Sequence, residues 1–184
     1  MRRVIVTVLI GLLVSAEARA AEPRRQGSGL VVRVAAGVGF GRASIGPETE
    51  SKPGFAGGVS LGASGRRFGF ELETAFQPFR TPNPVADEAF RAVYVLPSVR
   101  FHGESVYARL GIGWARYAWS GSEASVPNDG GLAVSAAVGY ELTKPRSFPL
   151  SVEGYYRTGS PDLEIVCGIA GVQLVGSWYR NKGR

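Results

Sequence analysis

Leu30-Val31-Val32-Arg33-Val34-Ala35-Ala36-Gly37-Val38-Gly39-Phe40-Gly41 is the stretch on which the fold turns. Its even positions (Leu30, Val32, Val34, Ala36, Val38, Phe40) form an unbroken apolar row. Its odd positions (Val31, Arg33, Ala35, Gly37, Gly39, Gly41) are mostly small and include one charge. Alternation with period two predicts a strand with two unlike faces. A half-buried strand of a water-soluble protein carries polar residues on its second face, not three glycines. One face is as oily as a lipid-facing surface, and the other has little bulk from which to build an oily core.

The same pattern recurs along the chain. Phe55, Gly57, Val59, Leu61 and Ala63 alternate with Ala56, Gly58, Ser60, Gly62 and Ser64. After a tight Gly65-Arg66-Arg67 turn, Phe68, Phe70, Leu72, Thr74 and Phe76 alternate with Gly69, Glu71, Glu73, Ala75 and Gln77. In the fourth run, Arg91 to Phe101, Val93, Val95, Val99 and Phe101 share a face with Pro97. A proline there removes a ladder donor and predicts a bulge with a change of register. Further runs place Val106 to Trp114, Leu132 to Leu142 and Leu150 to Tyr156 on an apolar face at alternate positions. A last run, Glu164 to Tyr179, presents Val172, Leu174 and Trp178 on its apolar face. Long connections are expected at Arg42–Gly54, Pro78–Phe90 and Trp119–Gly130, with a short loop around Gly159–Leu163. Shorter turns are expected at Gly65–Arg67, His102–Ser105 and Thr143–Pro149.

Eight such runs predict an all-β fold, an eight-stranded antiparallel transmembrane β-barrel with an apolar outer face and a small or polar inner one. In hydrocarbon an open sheet edge leaves backbone groups unsatisfied, so the sheet must close. An even strand count places both termini on one side, the periplasm in outer-membrane barrels, with the longer loops outward. Phe40, Phe55, Phe68, Phe76, Phe101, Trp114, Tyr140, Tyr156 and Trp178 fall near strand ends on the outer face, as aromatic girdles require. A soluble lipocalin-like barrel also alternates, but needs a wet exterior and an apolar interior. Here the charged face is the glycine-rich one. A Lys or Arg facing lipid at mid-membrane costs roughly 2–4 kcal/mol, so Arg33 and Arg109 are expected in the lumen.

Composition fits one exported domain. The chain has 184 residues, 26 glycines, and 21 Lys plus Arg against 15 Asp plus Glu. Much of the excess sits near the ends (Arg2, Arg3, Arg180, Lys182, Arg184), and no basic run with interleaved aromatics suggests nucleic acid. Arg2 and Arg3, the apolar run Val4–Val14 and Ala18-Arg19-Ala20 together predict a signal peptide, residues 1–20, cleaved after Ala20. Residues 21–184 are then the barrel domain. The single cysteine, Cys167, excludes an intramolecular disulfide or a cysteine-built metal site, and is expected to pack as a small apolar side chain.

Several segments resemble the OmpA/OmpX-like family of small eight-stranded outer-membrane proteins. They are Gly37-Val38-Gly39-Phe40-Gly41, Leu96-Pro97-Ser98-Val99-Arg100-Phe101, Ala108-Arg109-Leu110-Gly111-Ile112-Gly113-Trp114 and Val138-Gly139-Tyr140-Glu141-Leu142. The resemblance covers nearly all of the expected mature chain, but its motifs reflect barrel geometry more than activity. It implies location in the cell outer membrane with periplasmic termini. It also implies contact with outer-membrane lipid and lipopolysaccharide, folding by the barrel-assembly machinery, and room for a surface ligand on the long loops. Two departures are expected: no peptidoglycan-binding domain follows the barrel, and the terminal aromatic, Tyr179, is followed by residues 180–184.

The remaining chemistry is a polar set on the inner parity. Arg33, Arg100, Arg109 and Arg157 face Glu71, Glu73, Glu141 and Glu153, four charges of each sign. All but Glu73 and Arg157 fall within a few residues of the short-turn rim. Opposite charges on neighbouring strands are expected to pair and to fill a lumen just wide enough for side chains. A gate or selectivity ring is the alternative, and a loop-borne adhesin is another. An enzyme is not expected, nor is a cofactor or metal, because no phosphate loop or ligand cluster occurs. The one histidine, His102, beside Glu104 and Ser105, reads as a solvated turn residue.

Overall fold

The computed structural model describes residues 29–45, 48–65, 67–80, 89–120, 130–143, 148–162 and 165–181. The expected signal segment lies outside them. The described residues form β1 (Gly29–Ile45), β2 (Glu48–Ser64), β3 (Phe68–Arg80), β4 (Ala89–His102), β5 (Val106–Ser120), β6 (Gly130–Glu141), β7 (Leu150–Asp162) and β8 (Ile165–Asn181). Each strand pairs antiparallel with the next, and β8 pairs with β1 to close the barrel.

The register fixes the tilt. From Phe40, the chain of paired residues runs through Ala170, Tyr156, Ala136, Leu110, Val99, Phe70 and Ala63. It returns to β1 at Leu30, ten residues away. A ten-residue offset at about 3.3 Å per residue, spread over eight strands about 4.8 Å apart, tilts the strands by about 41°. Every residue on that circuit is on the outer face. Outer side chains are exposed, Phe40 at 68% and Phe55 at 74%, while the alternate positions are buried. At this tilt the outer row from Leu30 to Phe40 is about 25 Å tall, the height of a hydrocarbon layer. Phe68, Phe101, Tyr140 and Trp178 ring it near the turn-side end. Phe40, Phe55, Phe76, Trp114 and Tyr156 ring it at the other end. An apolar surface of this extent is untenable in water and natural in lipid.

The glycines of β1 have a packing reason. A Cβ on Gly39 would come within 2.5 Å of the Tyr155 hydroxyl and 2.9 Å of Gln77 Nε2. One on Gly37 would stand 2.6 Å from Gln173 Cβ. The empty inner face of β1 is therefore the space into which side chains of β3, β7 and β8 fold.

Three expectations need correction. The segment 42–54 is strand, not loop: β1 and β2 pair through Arg42↔Ser51 to Ile45↔Glu48, leaving only residues 46 and 47 between them. Likewise β7 runs through residues 159–162, and β3, β4, β5 and β6 reach Arg80, Ala89, Ser120 and Gly130. Outside the hydrocarbon layer a strand needs no lipid-facing apolar row, so alternation disappears from the sequence while backbone pairing continues. Pro97, finally, causes neither bulge nor register change. Val95↔Trp114 and Ser98↔Gly111 keep one register on either side of it, and Leu72↔Pro97 is an ordinary pair. The β4 backbone comes close to Gly113 here: a Cβ on that glycine would meet the Val95 carbonyl oxygen first and lie 3.1 Å from both Leu96 Cα and Pro97 Cδ.

Candidate functional site

Charged inner positions of five strands, joined by Ser60 of β2 and Gln173 of β8, meet in the lumen. Glu71 on β3 takes Arg33 Nε from β1 at 3.1 Å and Arg100 Nε from β4 at 3.1 Å. Ser60 Oγ donates to its other oxygen at 3.1 Å. Glu73, two residues along β3, pairs with Arg157 Nη2 from β7 at 2.7 Å and with Arg109 of β5. Arg109 also reaches Glu153 of β7 at 2.7 Å, and Gln173 Nε2 donates to the same Glu153 oxygen at 2.6 Å. Arg100 and Glu153 are each only 1% exposed.

Only one of these five pairs, Arg100–Glu71, joins neighbouring strands, contrary to the sequence expectation. The others skip a strand or cross the lumen, because inward side chains converge on the axis of a narrow barrel and reach one another more easily than their flanking neighbours do. Glu141 is not a member of these five pairs; it is half-buried at the end of β6. The seven others lie together in the lumen.

Tyrosines complete the packing. The Arg100 guanidinium lies 4.0 Å from the Tyr107 ring centroid, and Arg157 lies 4.3 Å from that of Tyr155. Arg33 Nη2 donates to Tyr179 Oη at 3.2 Å. The Tyr107 ring lies against Gly139, where any Cβ would overlap it. Tyr107, Tyr155, Gln77 and Gln173 share the inner parity of the charges, and that parity was the signal for including them with the charged set. Toward the rim opposite the 65–67 turn the lumen becomes apolar, with Ala56, Ala92, Tyr94, Ala115, Tyr117 and Cys167. Tyr94 and Tyr117 meet edge to face at 6.0 Å.

Among the described residues, one small void lies within the charged cluster. Between Arg33, Arg100, Arg109, Glu73 and Glu153 the lumen keeps a void of about 10 Å³, about the room of one water molecule. His102 is not a solvated turn residue. It ends β4 with inward parity, and its Nε2 lies 3.3 Å from Ser64 Oγ rather than near Ser105. Its Nδ1 is buried without a hydrogen-bond partner, so no carboxylate orients the ring as a general base requires.

Ail, the attachment invasion locus protein of Yersinia pestis, superposes with a TM-score of 0.60 over 83% of this chain and 99% of its own, at 17% identity. Its complex with the heparin analogue sucrose octasulfate gives 0.58 over 82% and 99%, also at 17%. The chain has the closed, eight-stranded antiparallel barrel fold of these outer-membrane proteins. Neisserial surface protein A matches it as well, with a TM-score of 0.52 over 82% and 98% at 18% identity. No family model matches the sequence, and no curated protein does. The likeness is thus one of architecture. The charged lumen described above is read from this chain's own residues.

Proposed function

We propose that this chain is a non-enzymatic, non-conducting integral protein of the cell outer membrane, with a structural role and a surface-interaction role at its rigid β1–β2 hairpin. The filled charged cluster carries the proposal: five ion pairs and three stacked or bonded tyrosines cross the lumen, and the void among the charges has room for about one water. An ion crossing this interior would have to break pairs whose separation costs about 3–5 kcal/mol each. The exterior supports the membrane setting, with lipid and lipopolysaccharide around the belt and the barrel-assembly machinery as the expected folding partner. β1 begins and β8 ends at the rim of the turns at residues 65–67 and 103–105, and in this reading that rim faces the periplasm. β1 and β2 continue together five residues beyond Phe40, which favours a stiff surface-presented hairpin over a flexible binding loop.

The test is conductance of the refolded protein in a planar bilayer. The expected trace stays at baseline for the wild type. Discrete openings that change size on Glu71→Gln or Arg100→Gln would replace this reading with a gated channel.

A further inference from the structure

The outward charges beyond the apolar belt follow a pattern that the lumen does not explain. Arg42, Arg91 and Arg116 are all exposed, and each stands two residues past a belt residue: Phe40, Val93 and Trp114. All three lie at the rim opposite the 65–67 and 103–105 turns. Among the outer-face residues at that level whose side chains are described, the companions are Pro53, Pro78, Gly130, Ser160 and Gly168, none of them acidic. Two of the three are neighbours. Arg116 on β5 pairs with Val93 on β4, and Arg91 pairs with Ala118, so the two arginines are diagonal on one face. Diagonal neighbours of an antiparallel pair lie within about 7–8 Å, near enough for two guanidinium groups to hold one phosphate.

We propose that Arg91 and Arg116 form a docking site for the phosphate of an outer-leaflet glycolipid of the lipid A class. The proposal rests on the outer-membrane reading above. The lipid, rather than free phosphate, is the occupant because the surface directly beneath the two arginines is acyl-chain contact. Val93, Val95 and Trp114 are 38%, 43% and 56% exposed on the same outer face. The Trp114 ring lies over Gly130, where a Cβ would come within 2.5 Å of its Nε1, at the end of the belt where hydrocarbon gives way to headgroup. A phosphate whose acyl chains pack on that surface is delivered to the guanidinium pair at high local concentration. Guanidinium binds phosphate through paired N–H donors, which lysine cannot reproduce.

The test uses the full chain refolded into phosphatidylcholine nanodiscs containing diphosphoryl lipid A, dephosphorylated lipid A or neither. Insertion is scored by heat-modifiable gel migration, and lipid binding by native mass spectrometry. Wild-type protein is expected to retain diphosphoryl lipid A. Removing two surface charges in Arg91→Gln/Arg116→Gln should weaken that binding roughly thirtyfold. Arg91→Lys/Arg116→Lys should recover part of it, and Arg180→Gln at the other rim should not change it. An inserted double variant that binds as wild type overturns the site. Equal retention of the dephosphorylated lipid by the wild type overturns it too, and does so even if the double variant fails to fold. Full competition by inorganic phosphate would instead assign a free-phosphate site. Failure of the wild type to insert would remove the outer-membrane reading itself.

Discussion

Glu73 is approached by Arg109 and by Arg157, from β5 and from β7, and both guanidinium groups are buried with it. Removing its charge strands Arg157, which has no other ion-pair partner among the five pairs described. Glu73→Gln is therefore expected to destabilise the barrel by about 3–5 kcal/mol. Glu141→Gln, at the half-buried rim, should cost about 1 kcal/mol or less. Urea unfolding of the refolded protein in one detergent compares the two, and equal costs would refute a central role for Glu73. At this scale the sequence was informative because parity alone assigns a face: Arg33, Glu71, Arg100 and Glu153 all lie where alternation puts them. Partner choice was not legible. Which guanidinium meets Glu73 depends on the offset between strands far apart in sequence, and no local pattern encodes that offset.

Among the elements, β4 carries the one local conflict. Pro97 lacks the N–H that would bond toward β5, and no pairing with β5 is formed at Leu96 and Pro97 although the register is unbroken. Pro97→Val places a lipid-compatible side chain on the outer face and restores the donor. It is expected to stabilise the barrel by about 1 kcal/mol, read as a higher urea midpoint with an unchanged slope. A destabilised variant would mean that packing around the proline outweighs the missing bond. The proline looked like a bulge in the sequence because the glycine that β4 approaches here is on another strand, sixteen positions later. The ends of β1, β2 and β7 were hidden for a different reason. Arg42, Lys52, Pro53 and Asp162 read as loop because strand patterning reports burial contrast, and that contrast stops where the lipid stops.

In the whole molecule, the belt, the closed ladder and the lumenal pairs share the same strands and are expected to unfold as one cooperative unit. Trp114 and Trp178 lie at opposite ends of the apolar belt. Variants retaining only one tryptophan each (the others replaced by phenylalanine) should therefore lose native fluorescence at the same urea concentration. Midpoints that separate would show that the two rims melt independently. The fold class was legible in full at this scale, since eight alternating runs with an oily outer row leave few architectures other than a closed membrane barrel.

The pairs that skip strands also constrain how such a chain can enter a bilayer. Arg33 depends on β3, Arg109 on β3 and β7, and Arg157 on β3. A sheet that has laid only β1 and β2, or only β5 and β6, into lipid holds arginines without the carboxylates they meet in the closed barrel. Delivery of strands one by one would thus draw these guanidinium groups into hydrocarbon apart from their carboxylates. The lower-energy itinerary assembles most of the staves at the membrane surface and commits them together, so that charge neutralisation and ring closure become the same event.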